Sequence, residues 1–200
     1  PLVGVQADIR PYKGFRSVLT ENVGGLPAMN GYRNINSLLF KKENYIVKGY
    51  AGKILRVDLT TRQVTVEEPT GNFYRRYLGG AGIASYYMLK EIPAGIDPLS
   101  PENKMIFALG PLTGLALSGA TRACVGFKSP LTGGYGKSEV GGVWPMDFKR
   151  AGYDGLIVSG KADRPVYIWI EPQGSVEIRE AGHLWGKTVQ ETQQAIRDEV

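Results

Sequence analysis

Lys53-Ile-Leu-Arg-Val-Asp-Leu59, Thr60-Thr-Arg62 and Gln63-Val-Thr-Val-Glu67 form the stretch from which the fold reads. The first run alternates, with Leu55, Val57 and Leu59 on one side of an extended chain. A polar turn follows, and the second run alternates again, which predicts a β-hairpin with one buried face. Working outward, Tyr74 to Ile92 spaces Leu78, Ile83, Tyr86, Tyr87 and Leu89 as in a helix, stopped by Pro93. Lys104–Leu109 and Arg122–Lys128 read as strands, and Val143–Ala151 as a short helix with Pro145 in its first turn. Three more strands are predicted at Gly155–Ser159, Val166–Ile170 and Ser175–Arg179, the last two joined by the turn Glu171-Pro-Gln-Gly174. Lys187–Val200 reads as a helix with Val189, Ile196 and Val200 on one face. It has no capping signal at its end, so a domain cut short is expected there. Strands outnumber helices without regular βα alternation, which favours α+β over a doubly wound sheet.

Before Gly49 the pattern is lost. Gly14, Gly24, Gly25, Pro27 and Gly31 are scattered through it, and no period of 2 or 3.6 is sustained. Residues 1–48 are expected to be a poorly ordered extension, and residues 49–200 the domain.

At 42% hydrophobic and 22% charged, the chain has the balance of an ordinary globular protein rather than a disordered one. No apolar run approaches the ~20 residues that span a bilayer, and the start lacks a basic, then apolar, secretory signal. No membrane association is expected, and the cytoplasm is the default location. A lone Cys124 excludes an internal disulfide framework. The net charge of +5 invites a nucleic-acid reading, but its distribution argues against one. Residues 1–48 hold seven Lys/Arg against three Asp/Glu, whereas residues 49–200 hold seventeen against sixteen. The body is nearly neutral, and no nucleic-acid partner is expected.

Residues 110–142 carry nine glycines, with Arg122, Lys128 and Lys137 among them. Glycine lets backbone approach a ligand, successive N–H groups can cradle phosphate oxygens, and the arginine fork matches phosphate. The stretch therefore suggests an anionic, phosphate-bearing ligand, although tight turns between strands would use glycines equally well. Gly136-Lys137-Ser138 resembles the end of a P-loop, but Leu131 stands where that motif needs glycine. Leu78-Gly-Gly-Ala-Gly-Ile83 is a poor dinucleotide fingerprint, because Ser85 stands at the third glycine and no strand precedes it. Close helix packing is the better reading there. His183 and Cys124 are the only residues of their types, so neither a zinc nor an iron site assembles at known spacings. Cys124, within a predicted strand, reads as a small buried hydrophobe.

Seven blocks in order carry a resemblance. They are Gly52-Lys-Ile-Leu-Arg-Val-Asp-Leu-Thr60, Asp97-Pro-Leu-Ser-Pro-Glu-Asn-Lys104, Gly110-Pro-Leu-Thr-Gly114, Arg122 with Lys128-Ser-Pro-Leu-Thr-Gly133, Gly141-Gly142, Ala151-Gly-Tyr-Asp154 and His183-Leu-Trp-Gly186. From about Gly49 to Val200 the chain resembles the amino-terminal domain of the tungsten-containing aldehyde:ferredoxin oxidoreductases. The resemblance implies a β-sheet-rich base for a bis-pterin cofactor of tungsten (molybdenum in some relatives), with a magnesium ion linking the pterin phosphates. It also implies a [4Fe-4S] cluster, oxidation of aldehydes, and ferredoxin or another iron-sulfur protein as electron acceptor. It is compatible with a homo-oligomer. By position, Arg122 matches the phosphate-contacting arginine, and Gly141 and Gly142 lie in the contacting loop, with Lys128 as a further basic candidate. Glu139 stands where relatives often carry Asn, whose backbone carbonyl ligates magnesium, and a main-chain ligand survives that change. No residue here is expected to be catalytic. A cluster usually needs four thiolates, so the chain alone is expected to be inactive. The alternatives are a non-enzymatic truncated paralogue and a related tungsten reductase of aromatic acyl-CoA.

Overall fold

The computed structural model describes residues 48–200; the extension expected over residues 1–48 lies outside them except for Lys48. In chain order the elements are β1 (Ile54–Asp58), β2 (Gln63–Glu67), α1 (Gly71–Tyr77), α2 (Ala81–Glu91), β3 (Lys104–Leu109), β4 (Ala123–Lys128), β5 (Tyr135–Val140), α3 (Trp144–Arg150), β6 (Gly155–Ser159), β7 (Val166–Ile170), β8 (Val176–Glu180), a 3-10 turn (Gly182–Leu184) and α4 (Val189–Glu199). The first six-stranded sheet runs β2-β1-β6-β3-β4-β5, and β7-β8 form a second. Only β1 and β6 pair in parallel; every other neighbour is antiparallel. The α+β expectation holds.

Strand alternation builds two cores from one sheet. Leu55, Val57, Leu156, Val158, Leu109 and Ala123 face α3 and the second sheet, meeting Phe148, Ile168 and Ile170. Ile54, Ile157, Ile106, Ala108 and Cys124 face the other way, beneath Tyr74, Ile83, Ala84 and Tyr87 of α1 and α2. Burial on both faces explains why Leu156-Ile-Val158 is an unbroken apolar run. β7 alternates too: Ile168 and Ile170 point to the large sheet, while Tyr167 and Trp169 meet Ile196 of α4.

Three local expectations need correction, and one strand was not foreseen. Leu55, Val57 and Leu59 are buried as expected, but β2 is the sheet's edge, and Val66 opposite Leu55 remains 46% exposed. The single helix over 74–92 is two, broken at Leu78-Gly79-Gly80. There the chain crosses the end of β3, where a Cβ on Gly79 would lie 2.4 Å from the Leu109 carbonyl oxygen. Gly80 N–H donates to that same carbonyl at 3.1 Å, and Leu78 takes a left-handed φ of 58°. β5 was not legible, because Tyr135–Val140 is an exposed edge strand without apolar alternation. α4 begins at a Thr188–Glu191 capping box, and of its expected stripe only Ile196 is buried.

A polar network closes one end of the large sheet. Arg56 Nε donates to Glu67 Oε2 at 2.7 Å and its Nη1 to Glu91 Oε2 at 3.1 Å, and Lys104 Nζ donates to Glu91 at 2.7 Å. Burial would raise the Glu91 pKa, but the hydrogen bonds from Arg56 and Lys104 more than offset it and bring it down to about 2.

Candidate functional site

The strand registers bring the end of β3, the start of β4, the end of β5 and the start of β6 together at the opposite end of the sheet. Four connections therefore converge there: the α1–α2 turn, the loop 110–122, the turn after β5, and the α3–β6 junction. Most of the glycine-rich stretch lies at this end.

Arg122 leads into β4 with its side chain exposed, and it forms no ion pair among the described residues. Gly141 leaves β5 beside it: a Cβ there would stand 3.5 Å from the Thr121 carbonyl oxygen and 3.9 Å from Arg122 Nε. Gly142 takes a φ of 79°, and a Cβ on it would meet nothing within 4 Å. Glu139 lies two residues upstream, opposite Cys124. Its carboxylate accepts a hydrogen bond from Lys137 Nζ at 2.9 Å. That bond, with the charges of Lys137 and Arg122, holds the carboxyl below its ordinary range.

Four of the five site residues expected from the sequence therefore lie together, and Lys128 does not. It pairs with Tyr135 at the far end of the β4–β5 hairpin, where its Nζ donates to the Ile96 carbonyl at 2.7 Å. An internal acceptor has claimed that ammonium. Gly136-Lys137-Ser138 lies within β5, a strand and not a phosphate loop. Cys124 is buried against Gly80, and burial pushes its thiol up. No group of three or more His, Cys, Asp or Glu side chains is placed to hold a metal among the described residues.

Sequence reasoning missed two supports. Asp154 is fully buried; it accepts the N–H groups of Ala51 at 3.0 Å and Gly52 at 2.7 Å and forms an ion pair with Lys149. An acid directly ahead of an apolar run was a usable signal. Thr113, 4% exposed, accepts from Gly110 N–H at 3.1 Å and donates to the Arg122 carbonyl at 2.9 Å. Nothing in Pro-Leu-Thr-Gly distinguished it from an ordinary turn.

Leu78, Leu112, Leu115, Leu117 and Val143, in the connections at this end, are each 49% to 62% exposed. A separate recess of about 340 Å³ lies at the other end of β1, lined by Leu59, Thr60, Arg62, Asp163, Arg164 and Glu180. It contains none of the expected residues, and Arg62 there is ion-paired with Glu180. No helix among the described residues is long and apolar enough to cross a membrane.

A guanidinium with no ion pair among the described residues, beside open glycine backbone, can take a phosphate group. The chain is 47% identical over 152 residues to a tungsten-containing aldehyde ferredoxin oxidoreductase of Pyrococcus abyssi, matching 76% of this chain and 25% of that protein. It is 39% identical over 140 residues to the WOR-like subunit of an aliphatic sulfonate oxidoreductase of Pyrococcus furiosus, matching 68% of this chain and 22% of that one. A solved structure, the BamBC active-site complex of benzoyl coenzyme A reductase with 1,5-dienoyl-CoA, superposes with a TM-score of 0.73 at 38% identity. That match covers 76% of this chain and 23% of the solved one. The chain thus spans about a quarter of the length of these relatives. Residues 54–200 match the model of the aldehyde ferredoxin oxidoreductase N-terminal domain, and the chain belongs to that family.

Proposed function

We propose that residues 49–200 are the cofactor base of a tungsten oxidoreductase, holding the phosphates of a bis-pterin at Arg122, Gly141 and Gly142. The observation that carries this is the exposed Arg122 guanidinium, without an ion pair among the described residues, standing against open glycine backbone at one end of the sheet. The residues fit the group: Arg122 offers two parallel donors to phosphate oxygens, and no side chain beyond Cα obstructs the approach at Gly141 and Gly142. In this reading the Glu139 main-chain carbonyl would hold the magnesium, while its carboxylate accepts a hydrogen bond from Lys137. Lys128 stays with Ile96 and serves the fold. When bound, the cofactor supplies the two-electron redox chemistry. This domain supplies position, a compensating positive charge and a surface against which further protein can exclude water. Aldehyde substrates, a [4Fe-4S] cluster bound outside this domain, ferredoxin or another iron-sulfur acceptor, and a cytoplasmic location complete the reading.

The benzoyl coenzyme A reductase likeness supports a second reading, reduction of an aromatic acyl-CoA. The 47% identity to an aldehyde enzyme against 38% to the reductase favours the aldehyde. The test is to express the whole coding frame in a tungsten-replete host. Tungsten and pterin are then quantified, and viologen-coupled turnover is assayed with aldehydes and with benzoyl-CoA. A charge-assisted phosphate contact contributes about 1.5–3 kcal/mol, so Arg122→Ala should lose cofactor at least about tenfold more readily, with unchanged circular dichroism. An Arg122→Ala protein that keeps its full tungsten content would overturn the assignment.

A further inference from the structure

Arg122 stands at the end of a long loop with little to hold it. Between β3 and β4, residues 110–122 form local turns: Thr113 N–H donates to Gly110 O at 3.2 Å, Leu115 to Leu112 at 3.2 Å, Ala120 to Leu117 at 3.2 Å and Arg122 to Ala120 at 3.1 Å. None of these bonds spans more than three residues. An arginine carried on such a loop loses affinity for its ligand unless its main chain is fixed beforehand.

Among the described residues, one side chain bridges the two ends of that loop. The Thr113 hydroxyl accepts the N–H of Gly110, the first residue after β3, and donates to the carbonyl of Arg122, the last before β4. Thr113 is 4% exposed and both bonds are half-buried, so removing the hydroxyl takes away partners that water replaces only in part. The next residue is seated as well: Gly114, at a φ of 97°, packs where a Cβ would come 3.1 Å from Lys149 Cγ. Lys149 is in turn held by its ion pair with the buried Asp154. The base of the loop is anchored on both sides of Thr113.

We infer that Thr113 is the positioning residue for Arg122: its hydroxyl fixes the Arg122 main chain so that the guanidinium meets the anionic ligand already in place. This rests on the proposed phosphate contact of Arg122. Thr113 itself does not touch the ligand; it acts through the Arg122 carbonyl.

The test uses the whole protein with Thr113→Val, which keeps the shape and removes both hydrogen bonds, and Thr113→Ser, which keeps the hydroxyl. The first measurement needs no cofactor. Amide hydrogen exchange over residues 110–122 should rise about five- to tenfold in Thr113→Val, the size expected for a hydrogen bond of about 1 kcal/mol. It should remain near wild type in Thr113→Ser, with β1 and β6 unchanged in both. The second is a double-mutant cycle on tungsten and pterin retention. Thr113→Val should weaken retention about tenfold in the wild-type background and have no further effect in Arg122→Ala. Unchanged exchange in Thr113→Val would overturn the inference whatever Arg122 does. So would a loss of cofactor that adds fully to that of Arg122→Ala, since the hydroxyl would then act on the fold at large. If Arg122→Ala alone keeps its cofactor, the phosphate assignment fails and this role falls with it. The exchange result still shows, in that case, whether the hydroxyl holds the loop.

Discussion

The β4–β5 hairpin carries a basic residue at each end, and the two ends behave differently. At the Lys128 end the ammonium and the backbone groups around it have internal partners. Asn103 alone donates to the Pro98 carbonyl at 2.7 Å and the Lys128 carbonyl at 2.9 Å, while its Oδ1 accepts the Lys104 and Lys128 N–H groups. Glu91, Lys104 and Arg56 extend the network under α2. At the Arg122 end the main chain is anchored by Thr113, but the guanidinium has no ion-pair partner among the described residues, and glycines open the backbone around it. One end is a closed polar seam, the other an anchored but unsatisfied one. A basic residue in a glycine-rich stretch marks a ligand site only when no internal acceptor reaches it.

The largest expected effect concerns how tightly the open end is built. Gly79→Ala drives a methyl against the Leu109 carbonyl, where backbone cannot yield cheaply, and should cost about 3 kcal/mol. Gly142→Ala, at a positive φ in open space, should cost only about 1 kcal/mol. Urea midpoints of the two variants check the contrast. Equal losses would mean that the α1–α2 turn relaxes freely and that the site end is not a close-packed junction.

The closed end should announce itself in acid. Glu91 has a folded-state pKa of about 2 against an ordinary value of 4.5. A depressed carboxylate contributes stability above its unfolded pKa and loses it as pH falls through the folded value. Stability should therefore decline from about pH 4.5 towards about pH 2, and Glu91→Gln should flatten that part of the profile while costing about 2 kcal/mol at pH 7. An unchanged acid limb in Glu91→Gln would remove this carboxylate from the seam.

The smallest effect separates the two basic residues. Lys128→Met leaves the Ile96 carbonyl without its donor and should cost about 1 kcal/mol of stability, with cofactor retention untouched. If Lys128→Met instead released cofactor as Arg122→Ala is expected to, the two ends would be one site and the contrast would fail.

Much of this was legible beforehand where local pattern and burial coincide. Lys53–Leu59, Lys104–Leu109 and Leu156–Val158 declare strands because their apolar side chains are the core itself. The glycine-rich stretch around Arg122 allowed a phosphate ligand or plain tight turns, and it was position within the family resemblance that singled out Arg122, Gly141 and Gly142. β5 was not legible, because an exposed edge strand is held by backbone pairing to β4, which leaves no side-chain signature. The α1–α2 break was hidden because helical spacing continues across Gly79-Gly80, and only the end of β3 beneath them forbids the helix.

The sequence by itself determined the fold class, the strands of both cores, the family resemblance and the kind of ligand a glycine–arginine stretch invites. All of these follow from side-chain chemistry and spacing along the chain. Only the tertiary structure decided that β5 pairs with β4 and brings Gly141 beside Arg122, that Ile96 occupies Lys128, and that Thr113 ties Gly110 to Arg122. Those facts depend on which carbonyl comes within about 3 Å of a given donor. That distance is set by the strand register and the packing of loops across the sheet, and no local pattern encodes it.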